Sequence, residues 1–241
     1  MSAPRSIVLV HGGWEGGWYW RPVADRLRQR GFRVFTPTLT GLGERAHLLS
    51  PSVDLTTHIE DVLGVIRCEE LSEFILVGHS YGGMVITGVA DRVHSSIECL
   101  VYLDAFLPRD GQSIMDLATT DRQAQLRDLA ERRGDGWRIP PIPAAAWGVT
   151  DPDEQAWIDR HSGDHPFATM TQPISLQGKH ETIARRLYIL ATGYDPSPFQ
   201  PVAAALGDDP GWQVKAVDCH HFLNVSAADD VAGILADAAD G

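Results

Sequence analysis

The sequence predicts a mostly parallel β-sheet covered by helices on both faces, and three observations predict it. Short β-branched runs end in glycine, aspartate or proline; longer stretches with helical spacing of apolar residues alternate with them. The chain's 241 residues, 44% hydrophobic and 22% charged, suit one α/β core of generous size, with or without an inserted lid.

In chain order, Ile7-Val8-Leu9-Val10 is the first expected strand, followed by a helix over 20–30 that Gly31 should stop. Further strands are expected at 34–36, 74–77, 100–103, 187–191 and 213–217, with helices at 58–67, 84–92 and 230–239. Between 107 and 183 the strand signal disappears. That stretch holds a charged helix at 121–133, the run Ile139-Pro140-Pro141-Ile142-Pro143, and Trp137, Trp147 and Trp157. It reads as an inserted lid over the carboxyl ends of the strands, where open parallel sheets bind ligands. The division expected is a core of 1–106 with 184–241, and a lid of 107–183.

A formal net charge of −12 without a basic run repels phosphate backbones and anionic headgroups, so neither nucleic acid nor membrane is an expected partner. No stretch of about 18 apolar residues exists, and 7–10 is too short for a signal-peptide core; a cytoplasmic protein is expected. Cys68, Cys99 and Cys219 are odd in number and widely spaced, fitting reduced, mostly buried thiols rather than disulfides or a zinc site. The histidines also lack metal-ligand spacing, so no metal or other cofactor is expected.

Gly78-His79-Ser80-Tyr81-Gly82-Gly83 lies between an expected strand and an expected helix. This is the context of a nucleophile elbow, where a serine takes a strained conformation and the residues two before and two after it must be small. Ser80 is the candidate nucleophile. His11-Gly12-Gly13-Trp14 follows the first strand, where a second backbone donor is wanted, so the amides of Gly13 and Tyr81 are the candidate oxyanion hole. His221 follows the last strand, late enough for the order serine, acid, histidine. His220 is its rival, and adjacent side chains in extended backbone point opposite ways. His79 is held by the turn and is expected to be structural.

These segments, with Gly16-Gly17-Trp18 and the Val231 that follows His221 by ten residues, resemble the hydroxynitrile lyase and plant methylesterase branch of the α/β-hydrolases, particularly its bacterial esterase-like members. The resemblance spans both ends of the chain and thins across 107–183. It implies the α/β-hydrolase fold, places the catalytic histidine at His221 rather than His220, and implies backbone donors at Gly13 and Tyr81. Lyases of that branch carry threonine after the first-loop histidine and lysine after the catalytic one; here Gly12 and Phe222 stand there. Without a cation for a departing cyanide, hydrolysis is favoured over C–C cleavage.

Two acids remain open. Asp195 follows the strand at 187–191 but sits between Tyr194 and Pro196, where it equally suits a turn cap. Asp104 ends the preceding strand in an apolar setting that demands a strong partner. Ungapped comparison with the plant esterases puts Tyr194 at their acid position, which favours Asp104. The expected activity is that of a serine esterase on small carboxylic esters, with Trp14, Trp147 and Phe222 lining the pocket. The alternatives are a cyanohydrin lyase and a non-catalytic small-molecule receptor.

Overall fold

A computed structural model describes residues 4–240. The first strand, β1 (Ser6–Val10), is wholly buried, and its alternate side chains divide between two cores. Val8 and Val10 face one helical layer, Ile7 and Leu9 the other, as period-two geometry requires of a strand covered on both faces. Helix α1 (Arg21–Gln29) buries Val23, Ala24 and Leu27. It ends at Gly31, whose φ of +90° lets the Phe32 N–H reach back to the Leu27 carbonyl, 3.2 Å, the left-handed cap for which glycine is suited.

Strand β2 (Arg33–Phe35) lies beside β1. Helix α2 (Leu55–Cys68) starts three residues earlier than its apolar periodicity indicates, because Asp54 caps it by accepting the Thr57 N–H at 2.8 Å. Next come β3 (Phe74–His79), α3 (Gly82–Val93) and β4 (Ile97–Leu103). The following stretch contains α4 (Ile114–Leu117), α5 (Thr120–Arg133), β5 (Arg138–Ile139), α6 (Pro152–His161), β6 (His165–Pro166) and α7 (Ala168–Thr171). β5 and β6 pair antiparallel as a ribbon, with Ile139 opposite His165. Nothing in the proline-rich sequence announces that ribbon.

The chain re-enters the main sheet as β7 (Arg186–Ala191), then forms α8 (Gln200–Gly207), β8 (Gln213–Val217), α9 (Leu223–Ser226) and α10 (Ala228–Asp240). The sheet is parallel, in the order β2-β1-β3-β4-β7-β8. Helices α1 and α10 pack together on one side, α2 and α3 on the other. All six expected strands are present. Helix α8 was not expected, since the prolines before it read as loop. The three cysteines are free, but only Cys99 is fully buried; Cys219 is half-buried and Cys68 exposed, so the expected burial is corrected for Cys68. Among the described residues no helix is long and apolar enough to cross a membrane.

Candidate active site

Ser80 sits between β3 and α3 with φ of +53°, a conformation non-glycine residues rarely adopt. Hydrogen bonds hold it there. Its N–H donates to the Leu103 carbonyl at 3.2 Å, and its carbonyl accepts from Gly83 at 3.0 Å and Phe106 at 3.2 Å. The glycines around it are a steric necessity. A Cβ on Gly78 would lie 2.7 Å from the Gly82 carbonyl oxygen, and one on Gly82 would lie 2.7 Å from the His11 carbonyl oxygen.

His221 Nε2 lies 3.0 Å from Ser80 Oγ, and His221 Nδ1 lies 2.7 Å from Asp104 Oδ2. Asp104 follows β4 directly and is fully buried. Its carboxylate accepts two further hydrogen bonds, from the Tyr194 hydroxyl at 2.7 Å and the Ala191 N–H at 3.1 Å. A buried carboxylate is tolerable when donors surround it, and here three do. With Nδ1–H donating to the carboxylate, Nε2 keeps the lone pair that can accept the serine proton. Asp195 is exposed and makes no such contact, whereas its neighbour Tyr194 reaches inward to Asp104. His220 turns away to Glu154 Oε2, 3.3 Å distant.

The imidazole of His221 is packed among rings. Trp147 lies near-parallel at 4.7 Å and Phe199 at 5.3 Å, while the Trp147 carbonyl accepts the His221 N–H at 3.2 Å. Burial lowers the pKa of His221; Asp104 works against this, and the nearby His79 adds to it.

His79 and Glu15 form a buried pair beneath the serine, Nδ1 to Oε1 being 3.3 Å. Burial is the largest single influence and opposes charge on both, but each partner's charge and hydrogen bond, joined by the His221 carbonyl and Asp104 at His79 and by His11 and the Gly12 amide at Glu15, together prevail, so the His79 pKa rises and the Glu15 pKa falls. His79 Nε2–H donates to the His221 carbonyl at 2.9 Å, so this pair anchors the loop carrying His221. Sequence reasoning passed over Glu15, although a lone carboxylate among Gly12, Gly13, Trp14, Gly16, Gly17 and Trp18 is a signal that a buried partner is needed.

In the first loop the Gly12 N–H donates to Glu15 at 2.9 Å and the Trp14 N–H to His165 Nδ1 at 3.2 Å. Between them the Gly13 amide has no protein acceptor among the described residues, nor has the Tyr81 amide across the elbow. The Tyr81 hydroxyl is tied to His58 Nδ1 at 2.9 Å. His58 donates its Nε2–H to the Thr40 carbonyl, and burial pushes its pKa down to about 4, leaving it a neutral structural support.

A cavity of about 520 Å³ opens over Ser80, walled by Trp14, Tyr81, Phe106, Ile114, Trp147 and Met170 among others. It falls within the size range of small-molecule sites. Arg122, packed on Trp147 at 4.9 Å, is the charged side chain on this wall. Of the expected lining residues, Trp14 and Trp147 are in place. Phe222 is not among its walls: it is buried in the core against Tyr19, ring centroids 5.9 Å apart. No group of three or more histidine, cysteine or acidic side chains among the described residues is arranged to hold a metal ion.

An alpha/beta hydrolase family model matches residues 7–234. Over 96% of this chain and 98% of the other, the sequence is 45% identical to a carbendazim hydrolyzing esterase from Nocardioides sp. strain SG-4G. An alpha-hydroxynitrile lyase from Arabidopsis thaliana is 31% identical over 45% of this chain and 42% of its own length. Among solved structures, an extracellular alpha/beta-hydrolase from a Paenibacillus species matches with a TM-score of 0.85 at 24% identity, covering 98% of this chain and 99% of that one.

Proposed function

The chain belongs to the alpha/beta hydrolase family, and from that premise we propose that it is a serine esterase in which Ser80, His221 and Asp104 cleave small carboxylic esters. The observation that carries this reading is the continuous relay from Asp104 through His221 to Ser80, at 2.7 and 3.0 Å, opening into an apolar cavity. Ser80 attacks the ester carbonyl as His221 Nε2 takes its proton. The Gly13 and Tyr81 amides hold the oxyanion, each worth roughly 3–4 kcal/mol to the transition state. The alcohol leaves with the proton from His221, and water, activated by the same imidazole, releases the acid. Asp104 fixes the imidazole tautomer and stabilises its cation.

Residues 107–183 act as the lid, contributing Trp147 and Met170 to the roof of the cavity. No observation favours the lyase. Beside the missing lysine, glycine stands at the position that needs threonine, and a Cβ there would lie 2.9 Å from Glu15 Oε1 and 3.0 Å from Ser80 Cβ, a tight fit that the Glu15 carboxylate would have to yield to. A cytoplasmic location belongs to this reading, since three free cysteines suit a reducing compartment.

The test is a panel of esters varied in acyl and alcohol size, with carbendazim included because the relative at 45% identity is named for hydrolysing it. A fluorophosphonate should label Ser80, and Ser80→Ala should lose both labelling and turnover. Retained turnover in that variant would sink the assignment, and binding without turnover would favour a receptor.

A further inference from the structure

Trp14 has φ of +64°, a left-handed conformation in a bulky residue, directly after the free amide of Gly13. Its polar groups are bonded to the segment between β4 and β7. The Trp14 N–H donates to His165 Nδ1 at 3.2 Å, its indole Nε1–H to the Ile139 carbonyl at 2.9 Å, and its carbonyl accepts from the Gly163 N–H at 3.0 Å. Ile139 and His165 are the facing residues of the β5–β6 ribbon, so this small element grips one residue of the first loop from two sides.

We infer that His165 is a positioning residue for the oxyanion hole: by accepting the Trp14 N–H it holds that residue left-handed and keeps the adjoining Gly13 amide directed at the substrate. The inference rests on the esterase reading above. It assigns the ribbon a part in the reaction although none of its residues touches the reacting atoms.

The chemistry of His165 fits an acceptor. Thr169 Oγ1 donates its proton to the Pro166 carbonyl at 2.8 Å and lies 2.7 Å from His165 Nε2. The hydroxyl can therefore only accept from Nε2–H, which leaves the lone pair on Nδ1, facing the Trp14 amide. His165 is fully buried; burial, with His58 and His11 nearby, holds its pKa well below the ordinary histidine value and so keeps Nδ1 unprotonated. Without this acceptor the Trp14 amide would be left without a partner, and the loop would gain by relaxing out of its strained conformation. Any such relaxation turns the Gly13–Trp14 peptide, which carries the Gly13 carbonyl, and through the Gly13 Cα it loosens the Gly12–Gly13 peptide that carries the Gly13 N–H.

Three variants test this with p-nitrophenyl acetate: His165→Ala, His165→Asn, and Thr169→Val, which frees the imidazole tautomer. In His165→Ala, kcat should fall about 10²-fold, the scale of one lost oxyanion donor, with KM little changed. Asn places a carbonyl oxygen near the position of Nδ1 and should recover most of the loss. Amide hydrogen exchange at Trp14 should quicken in His165→Ala and Thr169→Val, and stay slow in His165→Asn. Unchanged kcat in folded His165→Ala, an equal loss in His165→Asn, or unchanged exchange would each overturn the inference. If His165→Ala does not fold, Thr169→Val decides by the same two measurements. A wild-type protein that neither cleaves esters nor reacts with a fluorophosphonate would remove the esterase reading instead, and the exchange data would still report whether His165 holds the loop.

Discussion

Asp104 and Asp195 follow successive strands, yet only Asp104 meets His221, at 2.7 Å. Asp104→Asn keeps the shape but can donate to Nδ1, favouring the tautomer that leaves Nε2 protonated, and kcat should drop about 10³–10⁴-fold. Asp195→Asn, at an exposed position, should leave it unchanged; steady-state kinetics on the two variants compares them. His221 acts as a base only when neutral, and burial lowers its pKa. The cationic, inactive form therefore accumulates only at lower pH. The acidic limb of kcat/KM should fall below the ordinary histidine value of about 6.5, and a limb above it would contradict the burial described. In Glu15→Gln, His79 loses the partner that raises its pKa, so it carries less positive charge beside His221, the ring centroids being 4.6 Å apart. His79 acts on His221 more strongly than Glu15 does, so the limb should move upward in that variant. A pH profile of kcat/KM reads this shift directly.

At the elbow, strand and helix approach so closely that Gly82→Ala must push its Cβ to within 2.7 Å of the His11 carbonyl oxygen. Backbone cannot yield as a flexible side chain can, so a loss of about 1–3 kcal/mol is expected in denaturant unfolding. The opposite result is expected within α10. There a Cβ on Gly233 meets nothing within 4 Å, and Gly233→Ala should stabilise by about 0.5–1 kcal/mol. The same contrast explains what could be read from sequence. Ser80 and its glycines were legible because the elbow is local, its residues being sequence neighbours with a steric rule. Strands β1, β3, β4 and β7 were legible because burial on both faces makes near-continuous apolar runs; the edge strands β2 and β8, largely open to solvent, were legible from β-branched residues between turn signals. Glu15, Tyr194 and His165 were not read: each acts through a partner 64, 90 or 151 positions away, and such pairings are set by the tertiary fold. Phe222 was assigned to the pocket by its adjacency to His221, but neighbours on a chain can face different compartments.

Across the whole molecule the three catalytic candidates are carried by strands of unequal protection. Ser80 and Asp104 extend β3 and β4, central strands in register from Ile75↔Cys99 to His79↔Leu103. His221 follows β8, an edge strand whose Gln213, Val214 and Ala216 are exposed. Edges of a structure open at lower free energy than its centre. On heating, the base should thus depart while nucleophile and acid remain seated on an intact ladder. Activity, followed at temperature by continuous assay, should decline several degrees before the far-ultraviolet circular dichroism signal, and return on cooling from that interval. Loss of both signals at one temperature would mean that the β8 edge melts with the centre, and that the molecule has a single thermal failure point instead of two.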